Sequence, residues 1–288
     1  MRLIISIILL VAAPRIYAND VASYLQEYGR TGVSNYSTEQ AIIRDSDLEN
    51  LLNKLSPFYG DTLTRIRQKA YYLTYKKAIQ SNENRTLAVN RLLNGGGDAD
   101  GGIVGQNLGY LKNFNLDDFD AESARLINLK LSSTRIQHYK DFVLLAGFIG
   151  TGKDILYQKV LDRDVPGKTK WYISLALARM GNSEQIAYCM DKVRSLPIND
   201  NLLDYVVPDL LYMRQKVGVD FCVTILNSNE KLCHSSNPDN SESIVCGYKI
   251  LEILAPVVIG IPVAVDATGF VRVDNYEELL NKARQWFL

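Results

Sequence analysis

Apolar residues recur at helical spacing along most of this chain, in paired runs separated by short turns. The pair over residues 164–193 is the clearest. Trp171, Leu175 and Ala178, with Ile173, Leu177 and Met180 beside them, line one face of a first helix. Pro166 suits the first helical position, where its missing N–H is no loss. Gly181 supplies the left-handed residue that stops the helix. Asn182 and Ser183 stand where the next helix needs a cap, and Glu184 falls in its first turn. Ile186, Cys189, Met190 and Val193 form the second buried stripe. A hairpin of this kind cannot bury both apolar faces alone, so it needs copies stacked against it.

The rest of the chain repeats the theme. Val21, Leu25 and Tyr28 mark a weak first helix, and 29–38 is loop-like. Asp45 or Ser46 is placed to cap a helix carrying Leu48, Leu51, Leu52 and Leu55, which Pro57 ends. From Asp61 the spacing predicts a long helix with Leu63, Ile66, Ala70, Leu73 and Ala78 on its inner face. Residues 82–84 turn the chain into a return helix with Leu87, Val89, Leu92 and Leu93, and the glycine-rich 95–102 breaks it. A second pair starts at Ile103. Gly105 and Gly109 predict a smooth face there for a close neighbour, since such packing offsets the helix stability that glycine costs. Residues 114–118 turn it, and Ala121, Ala124, Leu126, Ile127 and Leu131 bring it back.

A third pair holds Phe142, Leu145, Ala146 and Ile149, a turn at Gly150, then Ile155, Leu156 and Val160. A fifth runs through Leu202, Val206, Leu210, Met213 and Val217 to Gly218, bent at Pro208, and returns through Phe221 and Ile225. A sixth helix is predicted over 243–254. Residues 263–273 alternate like two short strands around 267–269. Asp274 and Glu277 predict a capping box for a last helix that turns Leu279, Leu280, Ala283 and Trp286 inward.

Gly150 aligns with Gly181 at a repeat of about thirty residues, with Leu144 on Leu175 and Ile149 on Met180. The fold expected is all-α: an α-α superhelix, or solenoid, of about five to six helix pairs, with a small β-hairpin near the C-terminus. In the fourth pair Pro166, Lys170, Ala176, Leu177, Gly181, Glu184 and Ile186 follow one order. It runs proline, basic residue, small-residue helix, glycine, acidic residue, apolar helix. That order resembles the HEAT-like repeats of the phycobilisome-lyase type. Lys170 stands where that group more often has Arg, and Trp171 and Tyr172 are bulkier than its usual small residues. The third pair matches more weakly, so the resemblance covers about sixty residues. It implies a curved, partner-binding scaffold with no shared catalytic site. The division expected is a signal peptide over 1–18, a HEAT-like repeat domain over 19–260, and a hairpin with a capping helix over 261–288.

Arg2, the apolar run from Leu3 to Ala13 and the small Ala18 read as a removable export signal. The run is too short to span a bilayer. The expected location is periplasmic or extracellular, with no transmembrane segment in the mature chain. An apolar share of 47% is ample for a continuous core. The 32 Lys and Arg balance 32 Asp and Glu without a basic block, so nucleic-acid binding lacks its electrostatic driving force. Of the four Cys, Cys189 and Cys222 lie on apolar helical stripes and read as buried thiols. Cys233 and Cys246 flank a polar loop; a disulfide stapling it and two free thiols stand as equal readings. The two His, His138 and His234, are far apart, and the spacings do not resemble a zinc site, so no metal or cofactor is expected.

Residues 147–153 satisfy GxxxxGK. However, Asp154 stands where a phosphate loop needs Ser or Thr, and helical rather than strand spacing precedes it, so an inter-helix turn is expected. Asp98 and Asp100 hint at a calcium loop that lacks its closing acid, since Gly109 occupies that place. Asp117 and Asp118 suit a helix start, where acidic residues favour the dipole. No GxSxG occurs. Tyr71, Tyr72 and Tyr75, followed by Lys76 and Lys77, are the candidate binding residues. Tyrosine offers contact area at low entropic cost, though its rings also fill gaps between helices. Asn35 and Asn84 head glycan-acceptor patterns. The function expected is a non-catalytic scaffold that binds another protein through its concave face. The alternative is a carbohydrate- or peptide-binding or processing protein on an α/α scaffold.

Overall fold

The computed structural model describes residues 20–81, 85–133, 136–235, 242–267, 269, 271 and 275–288. The expected signal peptide, the 82–84 turn, Asn84, the middle of the 233–246 loop and Asp274 lie outside them. The described residues are all-α apart from one small sheet, and they form two compact units that divide between Ser123 and Ala124.

The described residues of the first unit include the α-helices α1 (Val21–Thr31), α2 (Tyr36–Asp45), α3 (Leu48–Leu55), α4 (Thr64–Gln80), α5 (Arg85–Gly95) and α6 (Gly101–Leu111). Short polar side chains start most of them. Asp20 accepts from the Ala22 and Ser23 N–H groups, Asn35 from Thr38, and Asp100 from Gly102 and Ile103. These bonds satisfy amides that a helix start leaves unpaired. The cap of α3 is Asp47, one or two residues later than expected, because its carboxylate reaches the Asn50 N–H. Gly32, at φ 71°, stops α1.

The long α4 is the axis of this unit; α1, α2, α3, α5 and α6 all pack on it. Its Ile66, Ala70, Leu73 and Ala78 are buried as expected, but Leu63 precedes the helix and is exposed. Ala70 and Leu73 join Val21, Leu25, Ile42, Ile43, Leu51 and Leu55 in one core. Arg67 clamps Asp98 at 2.8 and 2.9 Å and so ties the start of α4 to the turn after α5. The close approach expected at Gly109 is absent, since a Cβ there would meet nothing within 4 Å. It occurs instead at Gly95, where a Cβ would strike Asn107 and stand 2.6 Å from the Tyr71 ring.

Helix α7 (Ala121–Leu131) spans the division. The second unit continues with α8 (Tyr139–Ile149), α9 (Lys153–Leu161), α10 (Gly167–Arg179), α11 (Ser183–Arg194), α12 (Val207–Tyr212), α13 (Lys216–Asn227), α14 (Gly247–Leu254) and α15 (Tyr276–Trp286). Helix α10 is its axis and touches α8, α9, α11 and α12. Gly147 lets α8 lie against it, because a Cβ there would stand 2.8 Å from the Ala176 Cα. Gly181, at φ 82°, turns the chain, and the Asn182 side chain caps α11 on the Gln185 N–H. Pro166 is the residue before α10 rather than its first, with extended ψ of 142°.

The fifth pair departs from expectation. Leu202–Val206 is wound wide, with the Val207 N–H bonded to the Leu202 carbonyl, and α12 starts afresh with Pro208 near its N-terminus. A proline has no N–H to continue a helix and is tolerated only in a first turn. Arg214, in the left-handed region at φ 51°, then reverses the chain. The return helix therefore begins at Lys216, before Gly218.

The sheet is also not where alternation placed it. β1 (Cys233–His234) pairs antiparallel with β2 (Ser243–Ile244), and Cys233 and Cys246 are joined by a disulfide with Cα atoms 5.1 Å apart. The expected sixth helix therefore loses its first residues to β2. Within 263–273 the described residues give a single bridge, Val265 to Val271. Asn275 caps α15, accepting from the Glu277 and Glu278 N–H groups. No helix among the described residues is long and apolar enough to cross a membrane.

Candidate functional site

One face of α4 carries Lys69, Tyr72, Tyr75 and Lys76, residues three and four apart that share a side of a helix. Tyr28 of α1 and Tyr110 of α6 extend it at either end. The Lys69 Nζ lies 4.6 Å from the Tyr28 ring centre and 4.8 Å from that of Tyr72. The Lys76 Nζ lies 5.7 Å from Tyr72 and 5.9 Å from Tyr75. Tyr75 stacks on Tyr110 at 4.2 Å with ring planes 2° apart, and Phe114 meets it edge-on at 6.4 Å. The result is a row in which rings and ammonium groups alternate. Each such contact contributes about 0.5–1 kcal/mol where it is exposed.

The two ammonium groups differ. Lys69 bonds the Glu39 carboxylate at 2.7 Å and the Ser34 hydroxyl at 2.9 Å. Glu39 also accepts from the Tyr24 hydroxyl. Burial, reinforced by that carboxylate, pushes the Tyr24 hydroxyl well above the usual tyrosine range, which keeps it a donor. The Glu39 side chain is buried and that of Lys69 is only 11% exposed, so this end of the row is closed on itself. Lys76 is half-buried and has no carboxylate partner among the described residues. Tyr72 and Tyr110 are half-buried, and burial raises both hydroxyls, so they stay neutral at physiological pH. Tyr36, 71% exposed, stands at the start of α2.

Of the three tyrosines singled out from the sequence, Tyr72 and Tyr75 lie on this face and Tyr71 does not. Tyr71 is 5% exposed, packs on Tyr59 at 4.9 Å and presses against Gly95, so it is a core residue. Sequence reasoning missed Tyr28, Lys69 and Tyr110. Two come from other helices, and only the tertiary packing of α1 and α6 on α4 brings them in.

The remaining candidates are accounted for locally. Residues 147–153 are the end of α8, its turn and the first residue of α9, with Gly150 and Gly152 at φ 77° and 70°. Asp98 is held by Arg67 and by the Asp100 N–H, and Asp100 caps α6. Asn35 caps α2. Asp118 accepts from the Asn115 N–H in a short helical turn. His138 precedes α8 at φ 57°, and His234 bonds Asp200 at 2.8 Å. Asp200 also takes Lys249 at 2.5 Å. Burial pushes the Asp200 carboxyl up, but the bonds from Lys249 and His234 outweigh it and hold it down at about 2. Cys189 and Cys222 are buried thiols, each pushed up to about 12 by burial. Among the described residues no group of three or more His, Cys, Asp or Glu is disposed to hold a metal ion.

Comparison with family models, with curated proteins and with solved structures returns no match.

Proposed function

We propose that this chain is an exported, non-catalytic helical-repeat scaffold that binds another protein. The observation that supports this reading most is the row on α4, and above all Lys76. It is an ammonium held between two tyrosine rings, half-exposed and without a carboxylate of its own. Tyrosine faces and a fixed cation suit a partner segment that brings an acidic side chain beside apolar ones. The helix hairpins α8–α9 and α10–α11, in contact through α8 and α10, favour a HEAT-like stack as the framework. The Cys233–Cys246 disulfide favours an oxidising compartment, in keeping with the apolar N-terminal run. A glycan partner is the weaker reading: sugar rings stack on open aromatic faces, and one face of Tyr75 is already covered by Tyr110.

The test places a photo-crosslinking residue at Tyr36 in the full chain, in cells that make it naturally. A discrete protein adduct is expected, and it should be lost in Lys76→Glu and Tyr72→Ala. An adduct unaltered by both substitutions, or recovery of glycan alone, would overturn the reading.

A further inference from the structure

The second unit contains an open cleft of about 310 Å³, at the lower end of the size of small-ligand sites. Pro208, Leu211, Ile253 and Val257 line it, together with Tyr212 and two arginines, Arg179 and Arg214. The last residue of α10, Arg179, lies with its guanidinium 4.8 Å from the Tyr212 ring and 5.3 Å from that of Phe148. One of its nitrogens donates to the Tyr212 carbonyl at 2.6 Å. No carboxylate pairs with Arg179 or Arg214 among the described residues.

This arrangement is unfavourable as it stands. Arg179 is partly withdrawn from water; burial acts against its charge, Tyr212 offsets part of that, and the nearby Arg214 adds to it. Arg214, at an exposed position, adds a second like charge at the mouth of the cleft. Arg214 itself sits at φ 51°, a conformation that a non-glycine residue adopts at a cost. Neighbouring bonds fix the geometry: Gln215 donates to the Ala178 carbonyl at 2.9 Å, and the Tyr212 hydroxyl donates to that of Leu144 at 2.6 Å. An anion would relieve the repulsion, and an apolar group attached to it would cover the walls.

We infer that this cleft binds a small amphiphilic carboxylate. Arg179 spends one nitrogen on the Tyr212 carbonyl and keeps others for a planar two-oxygen head group, and Arg214 lines the same cleft. The hydrocarbon body lies along Leu211, Ile253 and Val257. This site is separate from the α4 row and does not depend on the partner proposed for it.

The test is calorimetric titration of the full chain with octanoate, octanol and acetate. Octanoate is expected to bind saturably, octanol at least about tenfold more weakly, and acetate below detection. Both test substitutions lie at exposed positions, so the fold should be retained; thermal melting checks this. Arg214→Gln should weaken octanoate about tenfold. Val257→Glu, which sets a carboxylate in the mouth, should abolish binding. Equal affinity for octanol or acetate would overturn the inference. So would affinity unchanged in both folded variants, or no saturable binding of octanoate at all.

Discussion

Lys69 in the first unit and Arg179 in the second are each cations placed between two aromatic rings. Their polar partners differ. Lys69 has a buried carboxylate at 2.7 Å, while Arg179 has a backbone carbonyl at 2.6 Å and a second guanidinium nearby. A buried charge with a full-charge partner is part of the fold, because removing either half leaves the other stranded. A half-buried charge with no such partner adds little to the fold and keeps its strongest interaction for something outside the chain. The same rings thus serve a joint in one place and a receptor in the other. Lys76, about two turns of helix from that joint, is of the second kind.

Four substitutions test that distinction, taken from the largest expected cost to the smallest. Glu39→Gln keeps an acceptor for the Tyr24 hydroxyl but strands Lys69. Urea unfolding should show a loss of about 3–5 kcal/mol. A loss below about 1 kcal/mol would mean that Lys69 is no more committed than Arg179 is.

Asp200→Asn comes next. That carboxylate is 28% exposed and holds both Lys249 and His234. Its folded value of about 2 lies below the ordinary 3.8, so its contribution is present above about pH 4 and lost as pH falls through about 2. Allowing for partial exposure, the variant should lose about 1–2 kcal/mol at neutral pH. Melting profiles of the two proteins should converge in strong acid; parallel profiles down to about pH 2 would remove Asp200 from the argument.

Arg179→Met should cost no more than about 1 kcal/mol, because the lost bond to the Tyr212 carbonyl is offset by relief of a desolvated charge. A loss comparable to that of Glu39→Gln would make Arg179 a structural cation. The smallest effect belongs to Asp220→Ala. It breaks the exposed pair with Lys216, whose two side chains are 53% and 85% exposed, and should shift stability by less than about 0.5 kcal/mol.

How much of this was legible before the structure depends on distance along the chain. The α10–α11 turn at Gly181 and Asn182 was readable because a left-handed glycine and a cap act within four residues. The buried face of α4 was readable because Ile66, Ala70 and Leu73 obey one period. Tyr71 was not, since three tyrosines within five positions point to different sides and only the neighbours decide which is enclosed. The pairing of Lys69 with Glu39, and of Arg179 with Arg214, joins residues some thirty or more apart, and no local rule brings them together. The start of α13 was misplaced because Gly218 looked like the reversal, whereas Arg214 takes the left-handed conformation without being glycine. The small sheet was misplaced because alternation was strongest at 263–273, while the disulfide holds together two strands too short to show any.

The burial of Cys189 and Cys222 bears on how the chain matures. Thiol–disulfide exchange needs a thiolate, and a thiol raised to about 12 is ionised to roughly one part in 10⁵ at neutral pH. Once these two helices have packed, both sulfurs are poor nucleophiles towards the bond between Cys233 and Cys246. Their burial thus disfavours rearrangement of the one disulfide among the described residues.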